Sequence, residues 1–425
     1  MAKHKVLYLS YDGMTDPLGQ SQVIPYLENL VAKGYEIHLI SFEKQERADR
    51  KNEIAHILNH VGIVWHPLDY TFKPPVLSTL YDIWNLRKKV KELHLKENFL
   101  MVHCRSYITA LIGQWMKNRF GVQFLFDMRG FFADERVEGG LWNQQKIVFK
   151  KIYQFFKKKE KQFFEQADCT VCLTHTGKKI IQEMPHLDGQ PVPVEVIPCC
   201  ADTSHFDPKK IEKGTQAVYK ERLKIDEGRF ILTYLGSVGT WYMLPEMLDF
   251  FGVLLINKPD AIFLFVTAEN PEFILEEAKR KGISPNSIRI ITAARSEVPV
   301  LLSLADAGIF FIKPVFSKKA SSPTKQGEMM SMGLPVICNS NVGDSDYLVK
   351  KYNSGIVVED FSEVAYQAAI NDLDNKGWAS PEVIRKHAKE FFDLEKGAST
   401  YLSIYERLIG TPKNTEETKL TKSIH

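Results

Sequence analysis

No stretch of the 425 residues approaches the roughly 18–20 consecutive apolar positions that a membrane-spanning helix needs. Charge or glycine interrupts the longer runs, so a soluble or peripheral protein is expected. Net charge is scarce too. It stands at +3, with 55 Lys and Arg against 52 Asp and Glu, so global electrostatics do not point to nucleic acid, although a local basic patch stays open. Disorder is equally unsupported in a chain that is 44% hydrophobic and 25% charged. Cysteine is sparse, and the one suggestive spacing, Cys169 to Cys172, lies in Ala-Asp-Cys-Thr-Val-Cys-Leu-Thr, which reads as a strand. Side chains three apart on a strand face opposite sides, and no second ligand pair with zinc spacing follows. The six cysteines therefore read as buried structural thiols in a reducing compartment. The first residues run directly into the apolar stretch Val6–Ser10, a strand rather than a signal peptide, so a cytoplasmic location is expected.

What the chain has instead is alternation. Short apolar runs at Val6–Ser10, Glu36–Phe42, Gly62–Trp65, Met101–Cys104, Gln123–Asp127, Thr170–Leu173 and Val194–Ile197 are separated by amphipathic segments such as Ser21–Lys33. A second series follows at Phe230–Leu235, Ile262–Thr267, Ile288–Thr292, Ala307–Ile312, Val336–Cys338 and Gly355–Val358. Near-continuous apolar strands between helices mean parallel sheets covered on both faces. Two series predict an α/β chain of two doubly wound, Rossmann-like domains, with the ligand expected in a cleft between them. The expected divisions are residues 1–205, 206–380, a terminal helix over 381–409 that crosses back to the first domain, and a polar, disordered tail over 410–425.

The densest local signal is Ser321–Asp344, SSPTKQGEMMSMGLPVICNSNVGD. Ser322 or Thr324 can cap a helix here, and Pro323 suits its first turn. Free N–H groups and the positive end of the helix make a phosphate seat, to which Lys325 adds a charge. Glu328 lies one turn on, where a carboxylate suits a ribose diol. The plainer reading is a capped helix with a surface Lys–Glu pair.

The run Glu328-Met-Met-Ser-Met-Gly333-Leu-Pro335-Val336 resembles the second half of the donor motif of retaining GT-B glycosyltransferases. These are the glycosyl transferases group 1, or family 4-like, enzymes common in bacterial polysaccharide synthesis. The resemblance runs over about residues 5–408. It implies that Glu328 holds the ribose of a nucleoside diphosphate sugar, and that Ala320 stands where the family has the glutamate that touches the sugar. Val196-Ile197-Pro198 with Asp202 and Phe206 is similar to the family's interdomain turn, with Cys199 and Cys200 in place of Asn-Gly. Tyr234-Leu235-Gly236-Ser237 resembles the first strand and glycine turn of the donor domain. The family's Arg and Lys for the diphosphate are missing from Gly236–Leu244, where Thr240, Trp241 and Tyr242 stand. Arg295 falls where the family approaches the base; as a residue it reads equally as a solvated loop arginine. The donor set implied is Gly19, Gln20, Gly236, Ser237, Arg295, Ser322, Thr324, Lys325 and Glu328. Asp344-Ser345-Asp346 has the D-x-D spacing but overlaps a turn, and no metal or other cofactor is expected beyond a UDP- or GDP-sugar co-substrate.

In the first half, the loop Tyr11–Gln22 resembles the family's glycine-rich loop, reduced to Gly19-Gln20. Polar clusters close two strands, at His103–Tyr107 and Asp127–Arg136. Buried charge must be paired, so each cluster is either a site or a salt-bridge network. Asp127, Arg129 and Lys325 are the catalytic candidates, and Arg105, Asp134 and Glu135 the sugar or acceptor contacts. The stretch 146–166 carries seven lysines against two glutamates, with aromatics at helical spacing. It either attracts anionic lipid or turns its aromatic stripe to the core. The expected activity is transfer of a sugar to a glycan or lipid-linked acceptor hydroxyl at the inner face of the plasma membrane. A sugar-nucleotide epimerase and a non-catalytic nucleotide-sugar-binding subunit are the alternatives, and no nucleic-acid partner is expected.

Overall fold

The computed structural model describes residues 4–187, 192–375 and 377–412. The chain divides into two compact units. The first takes the chain up to Leu173, Gly177–Ile197 and the chain from Leu394 onward; the second takes Thr174–Thr176 and Pro198–Asp393. Each is built on one parallel sheet.

In the first unit the strands are β1 (Lys5–Ser10), β2 (Glu36–Glu43), β3 (Val64–Asp69), β4 (Met101–Arg105), β5 (Gln123–Asp127), β6 (Cys169–Cys172) and β7 (Val194–Val196). Their spatial order is β3-β2-β1-β4-β5-β6-β7. The central strands are buried almost throughout because helices cover both faces. β3 begins two residues later than expected, sits at the edge and is only partly buried. An edge position also tolerates Pro67, which has no N–H to give. The expected helix 21–33 appears as two, Pro17–Gln22 and Ile24–Ala32, broken at Val23 just before Pro25.

The second unit holds β8 (Ile231–Leu235), β9 (Ile262–Val266), β10 (Ile288–Ile291), β11 (Ala307–Phe310), β12 (Val336–Asn339) and β13 (Gly355–Val358), in the order β10-β9-β8-β11-β12-β13. In both sheets the first strand is flanked by the second and the fourth. The order in which strands are added therefore reverses between β1 and β4 and between β8 and β11, and the crevice at the carboxyl ends of these strands is where such sheets bind ligands.

Glycine sets two packing distances. A Cβ on Gly113 would lie 2.5 Å from Cys104 Sγ and Phe124, so only glycine lets the helix Tyr107–Phe120 sit this close to β4 and β5. A Cβ on Gly308 would meet Met329 Sδ at 2.4 Å, and its absence lets the helix Thr324–Ser331 pack on β11. On one side of the first sheet the helices Leu77–Glu97, Tyr107–Phe120 and Ile147–Gln166 lie next to one another in that order.

The terminal helix expected over 381–409 is two helices, Pro381–Phe391 and Leu394–Ile409. At the break Phe392 turns into the core of the second unit, where a Cβ on Gly327 would meet it at 3.0 Å. Its carbonyl accepts from Ala201 N at 2.7 Å, and Asp393 Oδ1 accepts from the Thr203 hydroxyl at 3.0 Å. The same pairing draws residues 198–206 into the second unit, with Phe206 in its core, so the division falls at Ile197 rather than 205. The tail expected over 410–425 lies outside the described residues from 413 on. Among the described residues no helix is long and apolar enough to cross a membrane, and the six cysteines are buried free thiols.

Candidate functional site

The helix Thr324–Ser331 starts at the carboxyl side of β11 with Pro323 as its N-cap and no side-chain cap. Ser322 does not cap it, contrary to expectation; its Oγ accepts from Cys199 N at 3.2 Å. Thr324 is the first helical residue, so it cannot be the cap either. Gln326 N donates to Pro323 O at 3.0 Å, which leaves the first-turn N–H groups of Thr324 and Lys325 to a ligand or to water.

Lys325 and Glu328 are not a surface pair. Their exposures are 6% and 7%. Lys325 Nζ donates to Tyr234 Oη at 2.7 Å and lies 4.0 Å from the Tyr234 ring centre and 3.5 Å from that of Tyr242. A Cβ on Gly236 would stand 3.5 Å from the same ammonium, and Gly236 itself has φ +99°, a conformation that favours glycine. Burial pulls the lysine well below its ordinary range, and Glu328 opposes that shift. Burial pushes the Glu328 carboxyl up, and Arg295, then Lys325 and His205, pull it back. Arg295 Nη1 reaches Glu328 Oε1 at 3.3 Å and stacks 5.4 Å over Phe206. It is therefore ordered rather than loose, although half-exposed. Ser237 is exposed, and its carbonyl accepts from the Tyr234 hydroxyl.

Lys318 was not recognised in the sequence. It is buried, with Nζ 3.7 Å from the Trp241 ring centre. The loop after β8, which lacks arginine and lysine, thus supplies the aromatic faces on which two lysines from the 318–325 segment rest. Lys325, held by π-faces and a phenol oxygen, is placed to pair with an anion. Ala320 is wholly buried, without a polar group to offer. Asp344 is structural: its carboxylate accepts from His175 N, Thr176 N and Thr176 Oγ1 at 2.6–3.0 Å. Asp346 accepts from Asn341 N at 3.1 Å.

In the first unit the loop after β1 is pinned by Glu43, which sequence reasoning missed. Its carboxylate accepts from Met14 N, Thr15 N, Thr15 Oγ1 and Ser41 Oγ at 2.6–3.0 Å. Gly19 serves this loop's closure: its Cβ would fall 2.4 Å from Gly13 O. Gln20 is spent on the same loop, donating to Thr15 O and accepting from Arg50.

Asp127, His103, Arg105 and Arg129 gather at the ends of β4 and β5. Asp127 Oδ2 accepts from Tyr401 Oη at 3.0 Å, Arg129 Nη1 stands 3.7 Å from Oδ1, and His103 Nδ1 is 2.9 Å from Tyr405 Oη. Arg129 has φ +58°, in the left-handed region. Burial works to raise the Asp127 carboxyl, but Arg129, His103 and Arg105 together hold it below the usual range. Asp127 is therefore an ionised acceptor. Arg105 pairs with half-exposed Asp12 at 2.5 Å, so it faces the loop after β1.

Asp134 belongs to a network, not to this cluster. It accepts from Tyr153 Oη at 2.8 Å and Lys157 Nζ at 2.9 Å, and Lys157 also pairs with buried Glu160, which accepts from Tyr107 Oη. Glu135 lies with its carboxylate near Gly130 Cα. The network ties the helix Phe132–Glu138 to Ile147–Gln166. Lys157→Ala should leave two carboxylates without their cation and cost about 2–3 kcal/mol in urea unfolding. The helix Ile147–Gln166 then divides the two expectations made for it: Phe156, Phe163 and Phe164 are core, while Ile147, Val148 and Phe155 are exposed beside Lys150, Lys151 and Lys158. Among the described residues, Glu36, His38 and Glu97 are grouped closely enough to hold a metal ion, but Lys5 Nζ already lies 2.6 Å from Glu97 and 3.7 Å from Glu36.

Two family models match the chain: Glycosyltransferase Family 4 over residues 22–205 and Glycosyl transferases group 1 over 215–391. No curated protein sequence matches it. Among solved structures, a glycosyltransferase from Rickettsia africae is 17% identical with a TM-score of 0.70, covering 96% of this chain and 99% of its own. Sucrose-phosphate synthase from Thermosynechococcus elongatus is 16% identical at 0.72, with 96% and 99% covered. HepE from Anabaena, solved in complex with UDP-glucose, is 12% identical at 0.68, with 95% and 99% covered.

Proposed function

Because the chain belongs to the group 1 glycosyltransferases of GT-B fold, we propose that it moves a sugar, with retention of anomeric configuration, from a UDP- or GDP-sugar to an acceptor hydroxyl. The observation that carries this reading is the buried Lys325–Glu328 turn at an uncapped helix start. In this reading the first-turn amides and Lys325 take the diphosphate, and Glu328 takes the ribose hydroxyls. HepE, a structural neighbour, is complexed with UDP-glucose, which supports a uridine donor first.

The acceptor oxygen forms a bond to the anomeric carbon as the bond from that carbon to the diphosphate oxygen breaks. The electron pair stays on the diphosphate, where Lys325 and the helix N–H groups stabilise it. The acceptor proton passes to the departing diphosphate, so no separate base and no metal is required. Asp127 and Arg129 are assigned to the sugar and acceptor end, with Arg105 and Glu135 at its margin. The acceptor class is a glycan or a lipid-linked glycan, with the work done on the cytoplasmic side of a membrane in surface polysaccharide synthesis. Peripheral contact through 146–166 is part of this reading, resting on exposed Ile147, Val148 and Phe155.

A second reading is favoured by one observation: Ala320 supplies no carboxylate where the sugar is held. It makes the chain a nucleotide-sugar-binding subunit. Incubation of the purified chain with UDP- and GDP-sugars, followed by NMR, separates the readings. Release of nucleoside diphosphate with sugar on an acceptor or on water supports the transferase. An epimerised nucleotide sugar, or tight binding with persistent inactivity, overturns it.

A further inference from the structure

The helix Leu77–Glu97 carries a stripe of outward residues at Leu77, Tyr81, Trp84, Lys88, Lys91 and Leu95, spaced alternately four and three apart. Such spacing normally marks the buried face of an amphipathic helix. Here the opposite face, with Leu86, Val90 and Leu93, is the buried one. The stripe has a direction. Its first half is apolar: Leu77, Leu80, Tyr81 and Trp84 are 54–63% exposed, and Phe72 in the preceding turn is 72% exposed. Its second half is cationic, with Arg87, Lys88 and Lys91, joined by Arg119 from the helix Tyr107–Phe120. Between the two helices lies a groove of about 600 Å³ floored by Trp84, Trp115 and Phe120 and rimmed by these four cations. Arg87 stacks 4.5 Å over Trp115, and Lys88 lies 5.7 Å from the Trp84 ring centre. Among the described residues none of the four cations has a carboxylate partner, whereas neighbouring Lys89 pairs with Glu92.

We propose that this face of the first unit docks on an anionic phospholipid surface. The unpaired cations take headgroup phosphates, and the aromatic and leucine end of the stripe enters the interface. Charge complementarity requires a polyanion, and the contiguous apolar end requires a partner with an apolar interior. A bilayer surface offers both, where tryptophan and tyrosine favour the headgroup level. A soluble polyanion would leave Phe72, Leu77 and Leu80 in water. The surface is separate from the contact proposed at 146–166 and stands without it.

The test is co-sedimentation of the full chain with phosphatidylcholine vesicles, with and without phosphatidylglycerol. The wild-type protein is expected on the anionic vesicles only, and less at high salt. Lys88→Glu with Lys91→Glu should lower binding about tenfold or more. Tyr81→Ser with Trp84→Ser should lower it comparably with the melting temperature unchanged, since both side chains face solvent. Lys150→Glu with Lys151→Glu should matter less than either pair. The proposal is overturned if the wild type ignores anionic vesicles, or if both stripe pairs bind as wild type. It is also overturned if the Lys150 and Lys151 pair has the larger effect, or if dextran sulfate binds through Lys88 and Lys91 while vesicles do not.

Discussion

Glu328→Ala is expected to abolish stabilisation by nucleotide sugars while leaving the ligand-free protein folded. The two halves of that result have separate causes. In the free protein the carboxylate is buried and its close cation, Arg295, is half in solvent. Removing a buried acid so weakly paired should change unfolding free energy by no more than about 1 kcal/mol. With donor bound, the same carboxylate accepts two ribose hydroxyls out of water, and charge-assisted bonds of that kind are each worth about 1.5–3 kcal/mol. Their loss should weaken binding about a hundredfold or more. At a donor concentration a hundred times its Kd, the wild type gains about 2.7 kcal/mol, on the order of 5 °C for a domain this size. Alanine should bring that shift to near zero in a thermal-shift assay over UDP- and GDP-sugars. Glu328→Gln, which keeps shape and one acceptor, should retain part of it. An undiminished shift in Glu328→Ala would remove the ribose assignment. Absence of any shift in the wild type would instead count against the donor class.

The strands were legible because parallel strands buried on both faces need runs of apolar residues, and such runs cannot be hidden by loop variation. The donor helix was legible for a related reason: a proline start and a glycine stop bracket Lys325 and Glu328. What escaped was partnership across long separations. Nothing local to Phe392 says that it must turn into a core beside Gly327, so two helices read as one. Glu43 looks like a strand terminus until four donors from neighbouring segments converge on it. The seven lysines of 146–166 form one class in composition, yet Lys157 is locked between Asp134 and Glu160 while Lys150 and Lys151 stand in solvent. Composition averages over a helix; burial assigns each side.

The same distinction governs Lys325, whose environment predicts a proton linked to donor binding. Burial draws its pKa well down, and the groups around it are Tyr234 and Tyr242 on one side and Glu328 one turn away, with Arg295 and His205 beyond Glu328. Both tyrosines are pushed up by burial, Tyr242 to about 12, so they do not titrate in the neutral range. Burial shifts the Glu328 carboxyl up, and Arg295 opposes that shift. Between the lowered folded value and the unfolded value near 10.4, the unfolded chain binds more protons at Lys325 than the folded one. Stability of the ligand-free protein therefore gains from this group as pH rises through that window. A diphosphate favours the charged lysine, so binding takes up a proton and affinity falls over the same window, by up to about tenfold per pH unit. Above about pH 7.5 the terminal phosphate, with a second pKa near 6, is already ionised and adds nothing to the fall. Calorimetry of UDP or GDP binding from about pH 7.5 to about 9.5, in buffers of different ionisation heat, reads both the slope and the proton. Lys325→Met keeps the packing, and should bind about a hundredfold more weakly with a flat profile. An equal slope in Lys325→Met and wild type would place the titrating group elsewhere and take the diphosphate from Lys325.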